Sequence, residues 1–219
     1  RPDALVANSR YVAERIEHSW GRSAEVIHPP VDTAFFTPND TERSDYYAVV
    51  GAQVGYKNNG LAIEMANQTG IQLKVVGSGP AIDRAKADAA PNVTFEGQVS
   101  RERLRDIYRE ARGLLFCGVE DFGIVPVEAI SCGCPVVAFG QGGALETVSE
   151  SPRRATGTFF YANQIDALRA AIDNLERHRQ DGSYDPQKMH AHASQFSPDV
   201  FRAGILDSLQ KHGIYVDSK

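Results

Sequence analysis

The sequence predicts an α/β protein built on a doubly wound parallel sheet, and three observations carry that expectation. From Tyr46 onward, short apolar runs alternate with helical stretches. Those runs are continuous instead of alternating with polar residues, the pattern of strands buried on both faces. The connections are short but leave room for one helix between strands, as parallel neighbours require. The composition suits such a fold. In 219 residues, 42% are hydrophobic and 23% charged, enough to bury a core under a solvated surface.

The elements follow in order. Residues 4–7 form a short strand candidate, and Asn8 and Ser9 can cap a helix running to about Ser19, which Gly21 stops. Residues 24–27 read as another short strand. The run His28-Pro29-Pro30-Val31-Asp32 must be extended, because proline fixes its own φ and restricts the residue before it. Strand candidates then fall at 46–50, 73–76, 93–95, 114–116, 136–139 and 158–161. Between them lie helical stretches near 58–68, 80–89, 100–111, 125–132 and 142–149. Ile165, Leu168, Ile172 and Leu175 mark a helical stripe, and two last helices are expected near 187–195 and 198–211, each after a break. With no initiator Met and an apolar strand almost at residue 1, the chain is expected to continue a longer one. The expected division is 1–30 as a remnant of a preceding domain, 31–197 as the main domain, and 198–219 as a final helix and tail.

Charge and cysteine content remove several classes. Lys and Arg number 23 against 28 Asp and Glu, so the net charge of −5 argues against a nucleic-acid-coating surface. No apolar run approaches the roughly 20 residues that cross a bilayer, and no signal peptide is recognisable. Cys117, Cys132 and Cys134 are too few for a disulfide framework and lack zinc-ligand spacing. They read as buried thiols of a cytoplasmic protein, and no metal is assigned.

In a parallel α/β sheet the ligand loops lie at the carboxyl ends of the strands. The turn Val76-Gly77-Ser78-Gly79-Pro80 lacks a dinucleotide fingerprint, since Ile82 occupies the place of its third glycine. What remains is a tight turn at Gly77, either a plain βα connection or a backbone approach to a ligand. Lys57, alone on the loop after strand 46–50, reads by itself as a solvated surface cation. The stretch from Cys117 to Ala129 carries more. A strand ends, two carboxylates follow, and a helix begins near Ile124 with Pro126 in its first turn, where a missing N–H costs nothing. The free amides near Gly123, Ile124 and Val125, together with the helix dipole, suit a phosphate. Glu120 and Glu128 suit hydroxyls, which donate to carboxylates. A helix start for a diphosphate between two hydroxyl acceptors suggests a nucleoside diphosphate sugar. The competing reading is an acidic surface turn before an ordinary helix.

Glu120 and Glu128 stand in an E-x7-E arrangement, and EDFGIVPVEAISCGCPVVAFGQGGALETV resembles the retaining glycosyltransferases of family 4 (glycosyl transferases group 1). The stretches ALVANSRYVAERI, EVIHPPVD, YYAVVGAQVGYKNNGLAIE, LKVVGSGP and NVTFEGQVS follow the family's order to about residue 175. The flavour is closest to bacterial mannosyltransferases of polysaccharide and O-antigen assembly. The resemblance implies the carboxyl-terminal, Rossmann-like, donor-binding half of a GT-B fold. It implies that Glu120 contacts the hydroxyls of the donor sugar and that Glu128 contacts the ribose. The amides around Phe122, Gly123, Ile124 and Val125 would meet sugar and phosphate, Lys57 would pair with the diphosphate, and the loop from Gly97 to Val99 would meet the base. Glu120 and Lys57 are then the catalytic candidates, and Gly77 remains a donor-binding candidate. The family usually carries Arg where this chain has Ala52, which leaves the leaving diphosphate with one cation fewer.

The reaction implied is transfer of a sugar, mannose from GDP-mannose, to a glycan or lipid-linked acceptor with retention at the anomeric carbon; the alternatives are a UDP-sugar or other NDP-sugar donor, or a nucleotide-sugar-binding module without activity. The nucleotide sugar is a substrate, so no cofactor is expected. The acceptor would be held by the absent preceding half, with cytoplasmic location and a peripheral membrane contact at the inner face. His28, His190 and His192 show no triad or metal context, and Glu146 has at most a weak claim on the sugar.

Overall fold

The computed structural model describes residues 2–214, so Arg1 and the tail 215–219 of the expected final segment lie outside the described residues. In chain order the elements are β1 (Val6–Ala7), α1 (Arg10–Trp20), β2 (Glu25–Val26), β3 (Tyr46–Val50), α2 (Asn59–Thr69), β4 (Gln72–Val76), α3 (Ile82–Ala87), β5 (Val93–Gly97) and α4 (Arg101–Glu110). Then come β6 (Gly113–Phe116), α5 (Ile124–Ser131), β7 (Val136–Phe139), α6 (Ala144–Thr147), β8 (Gly157–Phe160), α7 (Ile165–Gln180), α8 (Pro186–Ala193) and α9 (Pro198–Lys211). Single 3-10 turns lie at Gly55–Lys57 and Ser194–Phe196.

The main sheet has six parallel strands in the order β5-β4-β3-β6-β7-β8. The chain winds outward from β3 to β5, returns to the middle, and winds the other way from β6 to β8. The doubly wound class expected from the sequence is therefore the observed one, with the strand order of a Rossmann-like half. Alternation within β6 explains why it reads as a continuous apolar run. Leu114 and Phe116 pack with α4, α5 and α8 on one face, whereas Leu115 and Cys117 pack with α2 and α7 on the other. All four residues of β6 are buried.

The ends of the helices follow local chemistry. Ser9, Ser100, Asp185 and Ser197 cap α1, α4, α8 and α9 through their side-chain oxygens, and α8 and α9 open on proline. Two helices are shorter than expected. The stretch 80–89 contracts to Ile82–Ala87, leaving Pro80 outside, because Gln53 takes the amide of Ala81 at 3.0 Å and pins the turn to the loop after β3. The stretch 142–149 contracts to the single turn Ala144–Thr147.

Arg43 ties the segment before β3 to the helix layer. Its Nη1 donates to the carbonyls of Tyr108, Arg109 and Ala111 at 3.2, 3.1 and 2.7 Å, and its Nη2 donates to that of Gly133 at 2.5 Å. These carbonyls lie at the negative ends of α4 and α5, where a cation is favourable. Residues 6–26 form a two-stranded parallel sheet with α1 beside it. Helix α9 leans on this segment, with Gly204 against Ile27 and Lys211 Nζ 2.9 Å from Glu25 Oε1.

Candidate donor-binding site

The strand order reverses between β3 and β6, which places a crevice outside their carboxyl ends. The loop after β3 carries Lys57 on the turn Gly55–Lys57, followed by Asn58 in a left-handed conformation with φ 52°. Asn58 Nδ2 donates to Asn163 Oδ1 at 2.6 Å, which anchors this loop to the one after β8. The loop after β6 runs beneath it. A Cβ at Gly118 would come within 2.7 Å of Lys57 Cα, so only glycine permits the approach.

Lys57 Nζ lies 2.7 Å from Glu120 Oε1, with the two side chains only 16% and 20% exposed. Two residues that the sequence assigned to different parts of a ligand are thus joined as a shielded ion pair. Lys57 is not the free surface cation that its isolated position suggests.

Helix α5 begins at Gly123, whose φ of 93° turns the chain into the helix without a side-chain cap. The amides of Gly123, Ile124 and Val125 make no hydrogen bond among the described residues, and the helix start is therefore open to an acceptor. Phe122 contributes differently. Its ring is buried, stacked on His28 at 5.3 Å and edge-on to Phe196 at 5.3 Å, so only its backbone is available to a ligand.

Glu128 lies about one turn into α5 and is half-buried. Its Oε2 accepts from the hydroxyl of Tyr108 on α4 at 3.0 Å. Burial pushes its carboxyl up to about 7, against the pull of the Tyr108 hydrogen bond and the nearby Arg101 charge. Among the described residues, no hydrogen bond or ion pair joins Glu128 to Lys57 or Glu120.

The loops after β3, β4 and β5 are laced by backbone bonds. Gly51 N donates to Val76 O at 3.1 Å, Gly77 N to Gly97 O at 2.7 Å, and Gln53 N to Ser78 O at 3.0 Å. A Cβ at Gly77 would overlap the carbonyl oxygen of Gly51, so the turn needs glycine for a structural reason independent of any ligand. Gly97 ends β5, and Val99 packs partly against the α4–α5 core. Ala52 is exposed and supplies no charge. A cavity of about 260 Å³ adjoins Tyr56, Cys117, Gly118 and Phe139 beside the Lys57 loop. A larger groove of about 520 Å³ lies outside the crevice between α2 and α3, lined by Gln53, Asn59, Ile63 and Arg84.

Several residues take roles that the sequence did not suggest. Glu146, a weak candidate for the sugar, instead accepts from the amides of Arg10 and Tyr11 at 3.0 and 3.2 Å and pairs with His28 Nε2 at 3.0 Å. It caps α1, and this explains why its carboxyl is held below the usual range despite burial. His28 is accordingly a bridge between Glu146 and Phe122. His190 and His192 bind the carbonyls of Ser131 and Thr147 at 2.9 Å each, as structural residues. Tyr108 and Gln53 were not singled out. Gln53 is buried and joins Gly51 O to Asn59, a role with no signature in a single sequence. All three cysteines are buried thiols, with burial pushing Cys117 up to about 12.

Comparison with known proteins agrees with this geometry. Residues 31–194 match the family model described as glycosyl transferases group 1. The chain is 31% identical over 198 residues to D-inositol 3-phosphate glycosyltransferase of Mycobacteroides abscessus, an alignment covering 79% of this chain and 44% of that protein. It is 30% identical over 204 residues to the GDP-mannose-dependent alpha-(1-6)-phosphatidylinositol monomannoside mannosyltransferase of Mycolicibacterium smegmatis, covering 79% of this chain and 53% of that protein. The chain thus spans about half the length of the curated relatives it matches. Among solved structures, Anabaena HepE in complex with UDP and glucose superposes with a TM-score of 0.82 at 20% identity, covering 94% of this chain and 62% of that one. Sucrose-phosphate synthase of Thermosynechococcus elongatus gives 0.82 at 21% identity, covering 97% and 59%. The crevice at the strand reversal, the open start of α5 and the family match lead to one assignment: this chain belongs to the glycosyl transferases group 1.

Proposed function

We propose that the chain is the donor-binding half of a retaining glycosyltransferase of family 4. It would transfer mannose from GDP-mannose to a glycan or lipid-linked acceptor in cell-surface polysaccharide assembly. The observation that carries this reading is the shielded Lys57–Glu120 pair at the strand reversal. The open amides of α5 and Lys57 receive the diphosphate, and both stabilise the charge that develops as the sugar leaves. Glu120 accepts from sugar hydroxyls, Glu128 from the ribose, the loop from Gly97 to Val99 contacts the base, and Gly77 is a further donor contact. The mannosyl assignment is supported by the name of the relative at 30% identity. An acceptor site on a preceding half completes the reading, because transfer needs both partners in one near-attack geometry.

Calorimetric titration with GDP, UDP, ADP and dTDP, followed by GDP-mannose, tests the assignment. GDP is expected to bind most tightly. Lys57→Ala is expected to weaken GDP and GDP-mannose alike and to flatten the salt dependence. Glu120→Ala is expected to spare GDP and weaken GDP-mannose by about ten- to hundredfold. Equal losses for both ligands in Glu120→Ala would refute the placement of the sugar. A competing reading is a nucleotide-sugar-binding module without activity, favoured by the neutral Ala52. Sugar transfer by the full-length protein, with retained configuration by NMR, separates the two.

A further inference from the structure

We propose that Tyr108 is a positioning residue for donor recognition: its buried hydroxyl holds one oxygen of Glu128 and leaves the other aimed at the ligand. The proposal rests on the reading of Glu128 as the ribose acceptor and extends it to the residue behind it.

Three features support it. Tyr108 is fully buried and cannot itself reach a ligand, yet its hydroxyl lies 3.0 Å from Glu128 Oε2. The ring is fixed, packed edge-on against Phe36 at 5.9 Å, while Arg43 binds carbonyls at the ends of both α4 and α5 and sets their spacing. Glu128 Oε1, by contrast, makes no hydrogen bond among the described residues. One oxygen is therefore held by the protein and one is left for a partner.

The chemistry gives the arrangement a purpose. A ribose diol needs an acceptor, and only the ionised carboxylate has every lone pair available. Burial opposes ionisation of Glu128, and the Tyr108 hydrogen bond favours it. The other groups facing Glu128 are few. Arg101 on α4 favours its charge, and the Cys132 thiol lies one turn further along α5. Arg105 and Arg109 of α4 lie near that thiol, and from α8 His190 is turned to Ser131. Tyr108 thus acts both on the aim of Glu128 and on the pH at which it becomes an acceptor.

The test is GDP affinity from pH 5.5 to 9 for wild type, Tyr108→Phe, Glu128→Gln and the double variant. The nucleotide's own phosphate titrates near pH 6, so each profile is compared with that of Glu128→Gln. Tyr108→Phe is expected to bind about five- to tenfold more weakly at pH 7, with its midpoint raised by about one pH unit and most of the loss recovered by pH 9, the remainder being the lost aim of Glu128. In the Glu128→Gln background the same change is expected to add nothing. A Tyr108→Phe loss additive with Glu128→Gln would show a packing role alone and overturn the proposal, and an unmoved midpoint would overturn its effect on ionisation. If Glu128→Gln binds GDP as wild type does, the ribose reading itself fails, and the two failures are thus distinguishable. Should Tyr108→Phe not fold, 3-fluorotyrosine at position 108, a stronger donor, is expected to lower the midpoint. An unmoved midpoint would then overturn the proposal.

Discussion

Glu128 is held in a place that disfavours its charge, and replacing it with glutamine should make the protein more stable. Its carboxyl is pushed from an ordinary 4.5 up to about 7 by burial. With each pH unit worth about 1.4 kcal/mol, the ionised side chain is about 3 kcal/mol worse off in the fold than in water. Because the folded value is raised, the stability due to the protonated group is complete below pH 4.5 and is lost as pH rises through 7. Wild type should therefore lose stability across that window, whereas Glu128→Gln, which still accepts from Tyr108, should not. Urea unfolding at pH 8 is expected to show the variant more stable by about 2–3 kcal/mol, shrinking to under about 1 kcal/mol at pH 5. Heating at pH 8 should give a midpoint about 5–10 °C higher. A variant less stable than wild type at pH 8, or an advantage that does not shrink toward pH 5, would refute the reasoning. The same substitution should weaken GDP binding, as expected where function keeps a group in an unfavourable place.

Two other expectations follow from close contacts. Gly118→Ala places a Cβ within 2.7 Å of the Lys57 backbone, so it should cost about 1–3 kcal/mol in urea unfolding and weaken GDP by displacing Lys57. Unchanged GDP affinity would separate Lys57 from the nucleotide. Glu146→Ala removes the carboxylate at the start of α1 and should destabilise that helix by about 1–2 kcal/mol, seen as faster hydrogen exchange at Arg10 and Tyr11. Since the carboxyl of Glu146 is lowered, wild-type protection there should hold above pH 4.5 and fade as the pH falls below it.

The sheet was legible because its strands are buried on both faces and each connection holds one helix. Periodicity located every one of the six strands of the main sheet to within two residues at each end. The open start of α5 was equally legible, since Gly123 and Pro126 mark a helix entry that leaves amides free. The pairings were not. Nothing in a linear pattern joins Lys57 to Glu120, Tyr108 to Glu128, or Glu146 to the amides of a helix more than a hundred residues earlier. The first pair is chosen by the sheet order, which brings the loop after β3 beside the loop after β6, and the others by the packing of α4 on α5 and of α6 at the start of α1. Pro80 shows the converse. Its position promised a helical first turn, but a tertiary bond to Gln53 delays the helix to Ile82.

The floor of the crevice is made of main chain lying on main chain: Gly77 against the carbonyl of Gly51, Gly118 against the backbone of Lys57. Such a floor offers mutation almost nothing to change, since any side chain added there collides with a neighbouring strand exit. A shift in ligand preference must come from the residues around its margin, such as Ala52 and Val99, whose side chains can grow or acquire charge while the floor stays as it is. The crevice is thus divided into a part fixed by backbone contact and a part that is free to diverge.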